Sequence, residues 1–270
     1  MIGCDKCNAR SVIFQRYSGM HLCQDHFDED VHRKVREVLR ETRIFGQGAK
    51  LAIALDGRKN SSAMLYILKR LFFERRDIEM VAVLVNEGIS GYRTEALVHA
   101  RNLAERLQVP YITRNFKNAF QITTDEIASN DRSRAPCTFC RSMRKALLNS
   151  TALESEAKAL ASGHTLDREA QTIMINFLRG DIGKVFELQP QCPQTEKILV
   201  IKPLRRVPER EVALYAAIHG LSPSDSCCCP YLGDPLRLEV KKNLEEFEGK
   251  HPGTKYSLLR SLERIVQLKP

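Results

Sequence analysis

The chain lacks any apolar run that approaches the roughly 18 residues needed by a membrane-spanning helix. Its first residues, MIGCDK, carry no hydrophobic stretch behind the charge, so we expect no secretory signal peptide. The sequence also has no internal repeat and no low-complexity segment. These absences argue against a membrane protein, a secreted protein and a repeat array. They predict a cytoplasmic protein with no membrane partner.

The length and the charge narrow the class further. A chain of 270 residues with 43% hydrophobic residues can fill one sizeable α/β domain and still leave room for an appendage. The formal net charge of +9 suits a polyanionic partner such as nucleic acid, because Lys and Arg release condensed counterions from phosphates. A basic but merely solvated surface explains the same number, so charge alone does not decide.

Nine cysteines in a cytoplasmic chain indicate metal ligands or catalytic thiols rather than disulfides. Near the N-terminus, Cys4 and Cys7 form one close pair, and Cys23 and His26 form another. Four such donors satisfy tetrahedral zinc, and metal binding would fold a segment too short for a core. His21 is a spare candidate outside the pair spacing. The alternative is a set of unconnected thiols.

The middle of the chain alternates short apolar runs with amphipathic helical patterns. Candidate strands lie at 51–55, 80–85, 109–113, 157–162 and 198–201. Candidate helices lie at 28–45, 61–76, 92–108, 139–154, 166–178, 208–219 and 235–266. This alternation predicts an α/β fold with a parallel sheet covered by helices on both faces, followed by a helical C-terminal tail.

A second cysteine group joins two distant segments. Cys137 and Cys140 open a helical pattern, and the run of Cys227, Cys228 and Cys229 comes much later. No histidine completes a zinc set here. Three interpretations stay open: a zinc with one unusual ligand, a three-cysteine 4Fe–4S cluster with an open iron, and a redox pair. The residues alone favour the cluster only slightly.

Basic side chains crowd the same segment, which contains a single nearby acidic residue, Asp131. The basic residues are Arg132, Arg134, Arg141, Arg144 and Lys145. Such a run is often only a solvated face. Beside a metal-binding loop, it is also typical of an enzyme that acts on an anionic polymer.

Two polar turns follow predicted strands. The stretch DGRKNSS begins at Asp56, and GHTLDREA begins at Gly163. A glycine-containing turn before a helix presents backbone N–H groups to a phosphate, and ligands of parallel sheets gather at the carboxyl ends of strands. Each turn alone is a weak signal, because a simple turn with a hydrogen-bonded histidine is the commoner case. Together they predict a nucleotide site.

Several segments carry a family resemblance over nearly the whole chain. The segments GHTLDREAQTIMINFLRGD, LVNEGISGYR, CTFCRSMRKALLN and IKPLRRVPEREVALYA resemble the ATP pyrophosphatase-type tRNA 2-thiouridine synthetases. The pair Arg144-Lys145 is similar to the archaeal and eukaryotic branch that thiolates the wobble uridine. The resemblance implies an adenine nucleotide alpha hydrolase-like (Rossmann-like) fold. It also implies Mg²⁺-ATP adenylation of a uridine oxygen, followed by displacement of AMP by sulfide held on a 4Fe–4S cluster.

The resemblance also implies site residues. Cys137, Cys140 and Cys229 would hold the cluster and, with Asp167 at the magnesium site, form the catalytic set. The implied ATP contacts are Leu55, Asp56, Gly57, Lys59, Ser61, Gly163 and His164. The implied tRNA contacts are Arg134, Arg141, Arg144 and Lys145. The expected units are a zinc module (1–27), a linking helix (28–48), the nucleotide-binding domain (49–222) and a helical segment with the third cluster cysteine (223–270).

The implied partners are tRNA, a sulfur donor (a ubiquitin-like thiocarboxylate protein or sulfide) and a second copy or partner subunit. The nucleotide loop departs from the family pattern SGGKDS. Asp56 replaces a serine, Arg58 a glycine and Asn60 an aspartate, while Arg168 replaces an acidic residue. We therefore expect weak ATP binding and reduced activity. The alternatives are an impaired paralogue that assists an active thiolase and a sulfur-handling enzyme with another substrate.

Overall fold

Two small β-hairpins and a helix begin the chain. The structure is a computed structural model, and it describes residues 2–46, 48–92, 94–130, 136–186, 198–221, 229–231 and 233–267. The hairpins pair β1 (Gly3–Cys4) with β2 (Cys7–Arg10) and β3 (Ile13–Gln15) with β4 (Met20–Leu22), both antiparallel. Helix α1 (Gln24–Glu41) follows at once. The linking helix thus begins earlier than predicted and carries His26 in its first turn.

A parallel sheet forms the centre of the described chain, as predicted. Its strands are β5 (Ala49–Ala54), β6 (Ile78–Asn86), β7 (Tyr111–Asn115), β8 (Ala159–Ala161) and β9 (Leu199–Ile201). Their order across the sheet is β7-β6-β5-β8-β9, with every neighbouring pair parallel. Strand β5, the first strand of the sheet in chain order, is therefore central and has β6 on one side and β8 on the other.

The described chain has ten further helices, and several of them cover the two faces of this sheet. They are α2 (Lys59–Leu71), α3 (Thr94–Arg106), α4 (Phe116–Phe120), α5 (Thr124–Asn130), α6 (Pro136–Glu154), α7 (Leu166–Leu178), α8 (Ile182–Phe186), α9 (Glu209–Ile218), α10 (Pro235–Lys250) and α11 (Thr254–Gln267). Side chains alternate between faces along a strand. Leu51 and Ile53 of β5 accordingly pack with α2, whereas Ala52 packs on the other face with Leu147 of α6. The predicted two-sided burial is confirmed. None of the described helices is long and apolar enough to span a bilayer.

The helical tail folds back on α7. Val240 of α10 packs with Ala170, and Leu259 of α11 packs with Ile173. The single tail pattern at 235–266 is divided into two helices at Gly253, whose φ of +96° is a conformation that few residues other than glycine adopt. The tail therefore lies against the helix that carries the GHTLDREA turn at its start.

A buried ion pair ties α1 to α9. Lys34 Nζ lies 2.9 Å from Glu211 Oε2 and 2.7 Å from Asp30 Oδ2, and the Glu211 side chain has no exposed surface. Tyr17 and Gln15 of the N-terminal module donate to Glu211 Oε1 at 2.8 and 3.2 Å. Burial disfavours the charge of Lys34, but Glu211 and the other neighbours outweigh it and raise the pKa of the lysine. This network joins the hairpins to the central domain.

We expect Lys34→Met to destabilise the protein by about 3–5 kcal/mol, because it leaves the buried carboxylate of Glu211 without its cation. Urea unfolding would measure the loss. The double variant Lys34→Met/Glu211→Gln removes both charges, so it should regain part of the stability. A single variant as stable as the parent would contradict a structural role for the pair.

Candidate functional site

The two polar turns predicted for the nucleotide site lie side by side, because β5 and β8 are adjacent. Leu51 pairs with Ala159 and Ile53 with Ala161, so both strands end at the same edge of the sheet. A Cβ atom on Gly163 would lie 3.1 Å from the backbone nitrogen of Ser61. The turn after β8 therefore closes directly against the start of α2, and the close approach favours glycine at this position.

The loop after β5 keeps a backbone path that only glycine permits. Gly57 has φ +74°, and a Cβ atom there would lie 1.7 Å from the carbonyl oxygen of Ala96. Helix α2 begins at Lys59 and directs its N-terminal N–H groups towards this turn. The geometry of a phosphate-binding turn is thus present despite the altered side chains. Leu55 is only 2% exposed and packs in the core, so its side chain is not available to a ligand.

Asp56 occupies the donors at the start of α2. Its Oδ1 atom accepts a hydrogen bond from Ser61 Oγ at 2.5 Å and another from the Arg58 N–H at 3.2 Å. These are donors of the kind that a bound phosphate would use at a helix N-terminus. The Arg58 guanidinium lies over the Tyr92 ring, 4.9 Å from the ring centroid. The Asp56 carboxylate therefore already accepts hydrogen bonds from part of the phosphate cradle, the set of donors at the start of α2.

Enclosed polar atoms surround this junction without hydrogen-bond partners among the described residues. They are Asn60 Oδ1, Ser62 Oγ and Thr165 Oγ1, at the starts of α2 and α7. Leaving such atoms unpaired is costly, roughly 1–3 kcal/mol each, and a bound polar ligand would supply partners. The junction therefore fits a nucleotide, although part of its phosphate cradle is already taken.

Lys59 and Asp167 are engaged in ion pairs. Lys59 Nζ lies 3.2 Å from Glu209 Oε1, and the Glu209 N–H donates to Asp167 Oδ2 at 2.6 Å. The other oxygen of Asp167 pairs with Lys255 of α11. Both carboxylate oxygens of Asp167 thus have protein partners, an arrangement that stabilises the tail on α7. Its role at a magnesium site stays a prediction that this geometry does not favour.

His164 is a neutral imidazole in this setting. Burial, and then the positive charges of Lys202, Arg168 and Arg237, lower its pKa to about 3. A neutral ring can donate or accept a hydrogen bond but does not attract a phosphate as a cation would. If it contacts ATP, as predicted, it does so as a hydrogen-bond partner.

The predicted cluster cysteines come from two segments that the structure brings close together. The Cys137 thiol contacts the carbonyl oxygen of Tyr231, and the Tyr231 hydroxyl donates to Asp125 Oδ1 at 2.8 Å. Burial, together with nearby Cys137 and Cys140, raises the pKa of the Cys229 thiol. The three thiols predicted to converge, those of Cys137, Cys140 and Cys229, therefore lie near one another, and their role as cluster ligands stays a prediction. Cys227 and Cys228 lie outside the described residues.

Of the four predicted tRNA contacts, Arg144 has partners within the protein, and Arg134 is not among the described residues. Arg144 Nε lies 2.7 Å from the buried Glu87 Oε1, and Arg144 Nη2 donates to Cys140 Sγ at 3.3 Å. Burial disfavours its charge, but Glu87 and Cys140 outweigh this effect and raise the pKa of Arg144. Arg144 thus turns towards the thiols, whereas Arg141 and Lys145 are exposed. Arg134 lies outside the described residues.

The N-terminal ligand set converges as predicted. Cys7 Sγ lies 3.6 Å from Cys23 Sγ, and His26 Nδ1 lies 3.3 Å from Cys23 Sγ and 3.5 Å from Cys4 Sγ. All four ligand atoms lie within 4.8 Å of one another. These separations fit the edges of a zinc tetrahedron with bonds of about 2.0–2.3 Å. A four-ligand set leaves no open position, so the site is structural.

Local hydrogen bonds support this set. Desolvation opposes ionisation of the Cys4 thiol, but the N–H groups of Cys23 and Lys6 outweigh it and lower its pKa to about 6. His21, the spare candidate, instead stacks on Phe14 and lies 3.7 Å from Asp5 Oδ2. It is not a ligand.

Comparison with known proteins agrees with this geometry. A family model described as a PP-loop domain matches residues 27–224, and a model of the N-terminal LIM domain of the 2-thiouridine synthetase TtuA matches residues 4–28. The tRNA 2-thiolation protein NcsA of Haloferax volcanii is 35% identical over 98% of this chain and 87% of its own length. The chain belongs to the PP-loop family of tRNA 2-thiolation proteins.

Other relatives of this PP-loop protein are similar along their length. The cytoplasmic tRNA 2-thiolation protein 1 of Scheffersomyces stipitis is 28% identical, over 97% of this chain and 71% of its own. The solved structure of the U34-tRNA thiolase NcsA from Methanococcus maripaludis with its [4Fe-4S] cluster has a TM-score of 0.90 and 34% identity. It covers 100% of this chain and 90% of that one. The predicted family and fold are confirmed.

Sequence reasoning missed several residues around the PP-loop. Glu87 lies inside a quoted motif, yet only the structure shows it beneath Arg144. Lys255 and Tyr231 act through partners that are distant in sequence. A single sequence holds no signal for such pairs, since no spacing rule connects Asp167 with Lys255 or Asp125 with Tyr231, although Tyr231 itself lies in the cysteine-proline-tyrosine segment that resembles the family.

We expect one zinc ion per chain, bound by the four N-terminal ligands. Cys7→Ser should abolish stoichiometric zinc and release the two hairpins, because metal binding supplies their folding energy. Elemental analysis and hydrogen exchange over residues 2–22 would measure both effects.

The matched control is His21→Ala, which removes a neighbouring imidazole that does not bind the metal and should keep full zinc. A protected segment in a metal-free parent would contradict the structural role of zinc.

Proposed function

We propose that this protein is a tRNA thiolase that uses ATP to activate a uridine and then replaces the activated oxygen with sulfur. The observation that carries the proposal is the proximity of two features, because Cys140 lies in one buried cluster with Ala52 of β5, and Ala54 at the end of β5 packs against that cluster. A nucleotide-type turn lies after β5, and the thiol segment around Cys137 and Cys140 lies at the start of α6. Relatives over the full length are named tRNA 2-thiolation proteins.

Cys137, Cys140 and Cys229 are the residues that would hold a 4Fe–4S cluster. Three thiolates and no histidine fit an iron–sulfur cluster better than zinc. When bound, such a cluster would supply an iron without a protein ligand, where sulfide could be held. Arg144 would support it by donating an N–H···S hydrogen bond to Cys140. Ser61, Gly57 and His164 would contact ATP, and Arg141 and Lys145 would contact the tRNA.

The relatives' names point to the substrate and the compartment. One solved relative is called a U34-tRNA thiolase, and others are called cytoplasmic tRNA 2-thiolation proteins. We therefore propose the wobble uridine as the target and the cytoplasm as the location. Sulfide or a ubiquitin-like thiocarboxylate protein is the proposed sulfur donor, and a second copy or partner subunit is a proposed companion.

A second candidate function is an impaired paralogue that binds tRNA or a cluster and assists an active thiolase. Two observations favour it. The Asp56 carboxylate takes donors that a phosphate would use. Arg168 stands where the family pattern has an acid, so a potential magnesium ligand is missing. ATP turnover separates the two candidates.

We expect the purified protein to release AMP and pyrophosphate from ATP in a tRNA-dependent way, but slowly. Restoring the family loop with Asp56→Ser/Arg58→Gly/Asn60→Asp should tighten ATP binding about tenfold, or ~1.4 kcal/mol, because the internal carboxylate is removed. Isothermal titration with ATP would measure affinity, and chromatography of the nucleotides would measure turnover.

The charge-matched control is Arg76→Gln, which lowers the net charge by one, as the loop restoration does, at an exposed position between α2 and β6. It should leave ATP affinity unchanged. Tighter ATP binding by the parent than by the restored loop would show that Arg58 is itself a phosphate ligand. No AMP release by either form would favour the impaired paralogue.

A further inference from the structure

Three arginines from three helices meet beside the cysteine segment. Arg141 lies on α6 directly after Cys140, Arg168 lies in the first turn of α7, and Arg237 lies in the first turn of α10. The contact between the Cys137 thiol and the Tyr231 carbonyl holds the chain just before α10 against the start of α6. This contact brings the Arg237 end of α10 towards Arg141.

Hydrophobic packing brings the third arginine into the group. Val240 and Leu244 of α10 pack against Ala170 and Ile175 of α7. The two helices therefore lie side by side, and Arg168 in the first turn of α7 is close enough to Arg237 in the first turn of α10 for their charges to interact. The starts of α6, α7 and α10 are thus held near one another by contacts that do not involve the arginines.

The group is strongly cationic. Burial, and then Arg237 and Arg141, lower the pKa of Arg168 to about 10. Burial and Arg141 also lower the pKa of Arg237. Glu209 and Asp234 oppose these shifts only in part. Like charges brought together at a partly buried site destabilise the folded chain, and this suggests that they serve binding.

The guanidinium groups are also short of hydrogen-bond acceptors. Arg237 is 17% exposed, and its Nε and Nη1 atoms are enclosed and have no hydrogen-bond partner in the described part of the chain. Asp234 Oδ2 lies 3.6 Å from Arg237 Nε, while Asp234 Oδ1 accepts the Arg237 backbone N–H at 3.2 Å as the cap of α10. Within the described ranges, neither Arg141 nor Arg168 forms an ion pair. A buried donor without an acceptor is costly, and a bound anion would relieve both that cost and the repulsion.

We propose that Arg141, Arg168 and Arg237 bind one phosphate of the RNA backbone, next to the nucleotide that receives sulfur. The inference rests on the proposed function for the identity of the polymer. Planar guanidinium groups match phosphate oxygens in pairs, which favours arginine over lysine at such a site. Arg141 is exposed to solvent, so a polymer can reach the group, and its neighbour Cys140 belongs to the sulfur site. The phosphate would therefore position a base over the thiols.

The test uses the full chain, purified without oxygen, and a fluorescent tRNA transcript. Arg168→Gln/Arg237→Gln should weaken tRNA binding at least tenfold. The slope of log K against log salt should become shallower by about one, the change expected when one phosphate contact is lost. The affinity of the variant for ATP, measured separately, should change much less than its affinity for tRNA. Its thermal midpoint should stay the same or rise, because repulsion is relieved, whereas a purely structural pair of arginines would lower it.

Two further variants sharpen the result. Arg76→Gln/Arg264→Gln removes two exposed charges elsewhere and should change tRNA affinity less than threefold. Arg168→Lys/Arg237→Lys keeps the charges but loses the paired geometry, so it should keep the salt dependence and lose part of the affinity. It also covers the case in which the glutamine variant fails to fold.

Unchanged tRNA binding by the glutamine variant would overturn the proposal. A fall in ATP affinity with tRNA affinity intact would also overturn it, since the phosphate would then come from the nucleotide. If binding depends on these arginines but the parent never thiolates tRNA, the site is supported and the catalytic part of the proposed function fails. The two failures are thus distinguishable.

Discussion

The parallel pairing of β5 with β8 is the constraint on which the site depends. Because these strands end together, the turn at 56–61 and the turn at Gly163 meet, with a separation that leaves little room for a side chain at Gly163. The starts of α2 and α7 then lie side by side, so that two helix N-termini face one junction. The tail packs on α7, the helix that follows β8, so its position also depends on the pairing of β5 with β8. A shift in this register would separate the nucleotide turn from His164.

Relative to the family pattern, the charges around this backbone are different. The loop has gained the internal carboxylate of Asp56, which takes donors at the start of α2. The motif after β8 has gained Arg168, which joins other guanidinium groups nearby. The backbone cradle persists because Gly57 and the helix start define it, whereas the field within it is altered. A nucleotide site that keeps its shape but has the Asp56 carboxylate on its hydrogen-bond donors is expected to bind ATP less tightly, without losing the fold.

Features with short-range patterns could be predicted from the sequence. The zinc ligands form two close pairs, the strands form apolar runs, and the helices α6, α7 and α9 follow clear periodicity. The short helices α4, α5 and α8 carry too few residues for a period to emerge. The pairs Glu87–Arg144 and Asp167–Lys255 join residues that are distant in sequence, and no spacing rule connects them. The inward turn of Arg144 was missed for this reason, because a basic residue in a basic run gives no sign of a buried partner.

The hydrogen bonds of Asp56 are a second feature that could not be predicted from the sequence. The sequence predicts that its charge opposes phosphate, which stays a prediction, but does not show that the carboxylate hydrogen-bonds within its own loop. The distinction matters, because an internally bonded carboxylate must be displaced as well as neutralised before a phosphate can bind.

The measurement that tests the account most directly is nucleoside analysis of tRNA after incubation with the reconstituted protein, ATP, Mg²⁺ and sulfide under anaerobic conditions. Mass spectrometry should find 2-thiouridine at the wobble position with the parent chain. None should form when ATP is omitted or when Cys140 is replaced by serine. Thiolation that persists without ATP or without Cys140 would contradict the central claim. Its absence from every reaction, despite a loaded cluster and bound tRNA, would assign the chain to the impaired class.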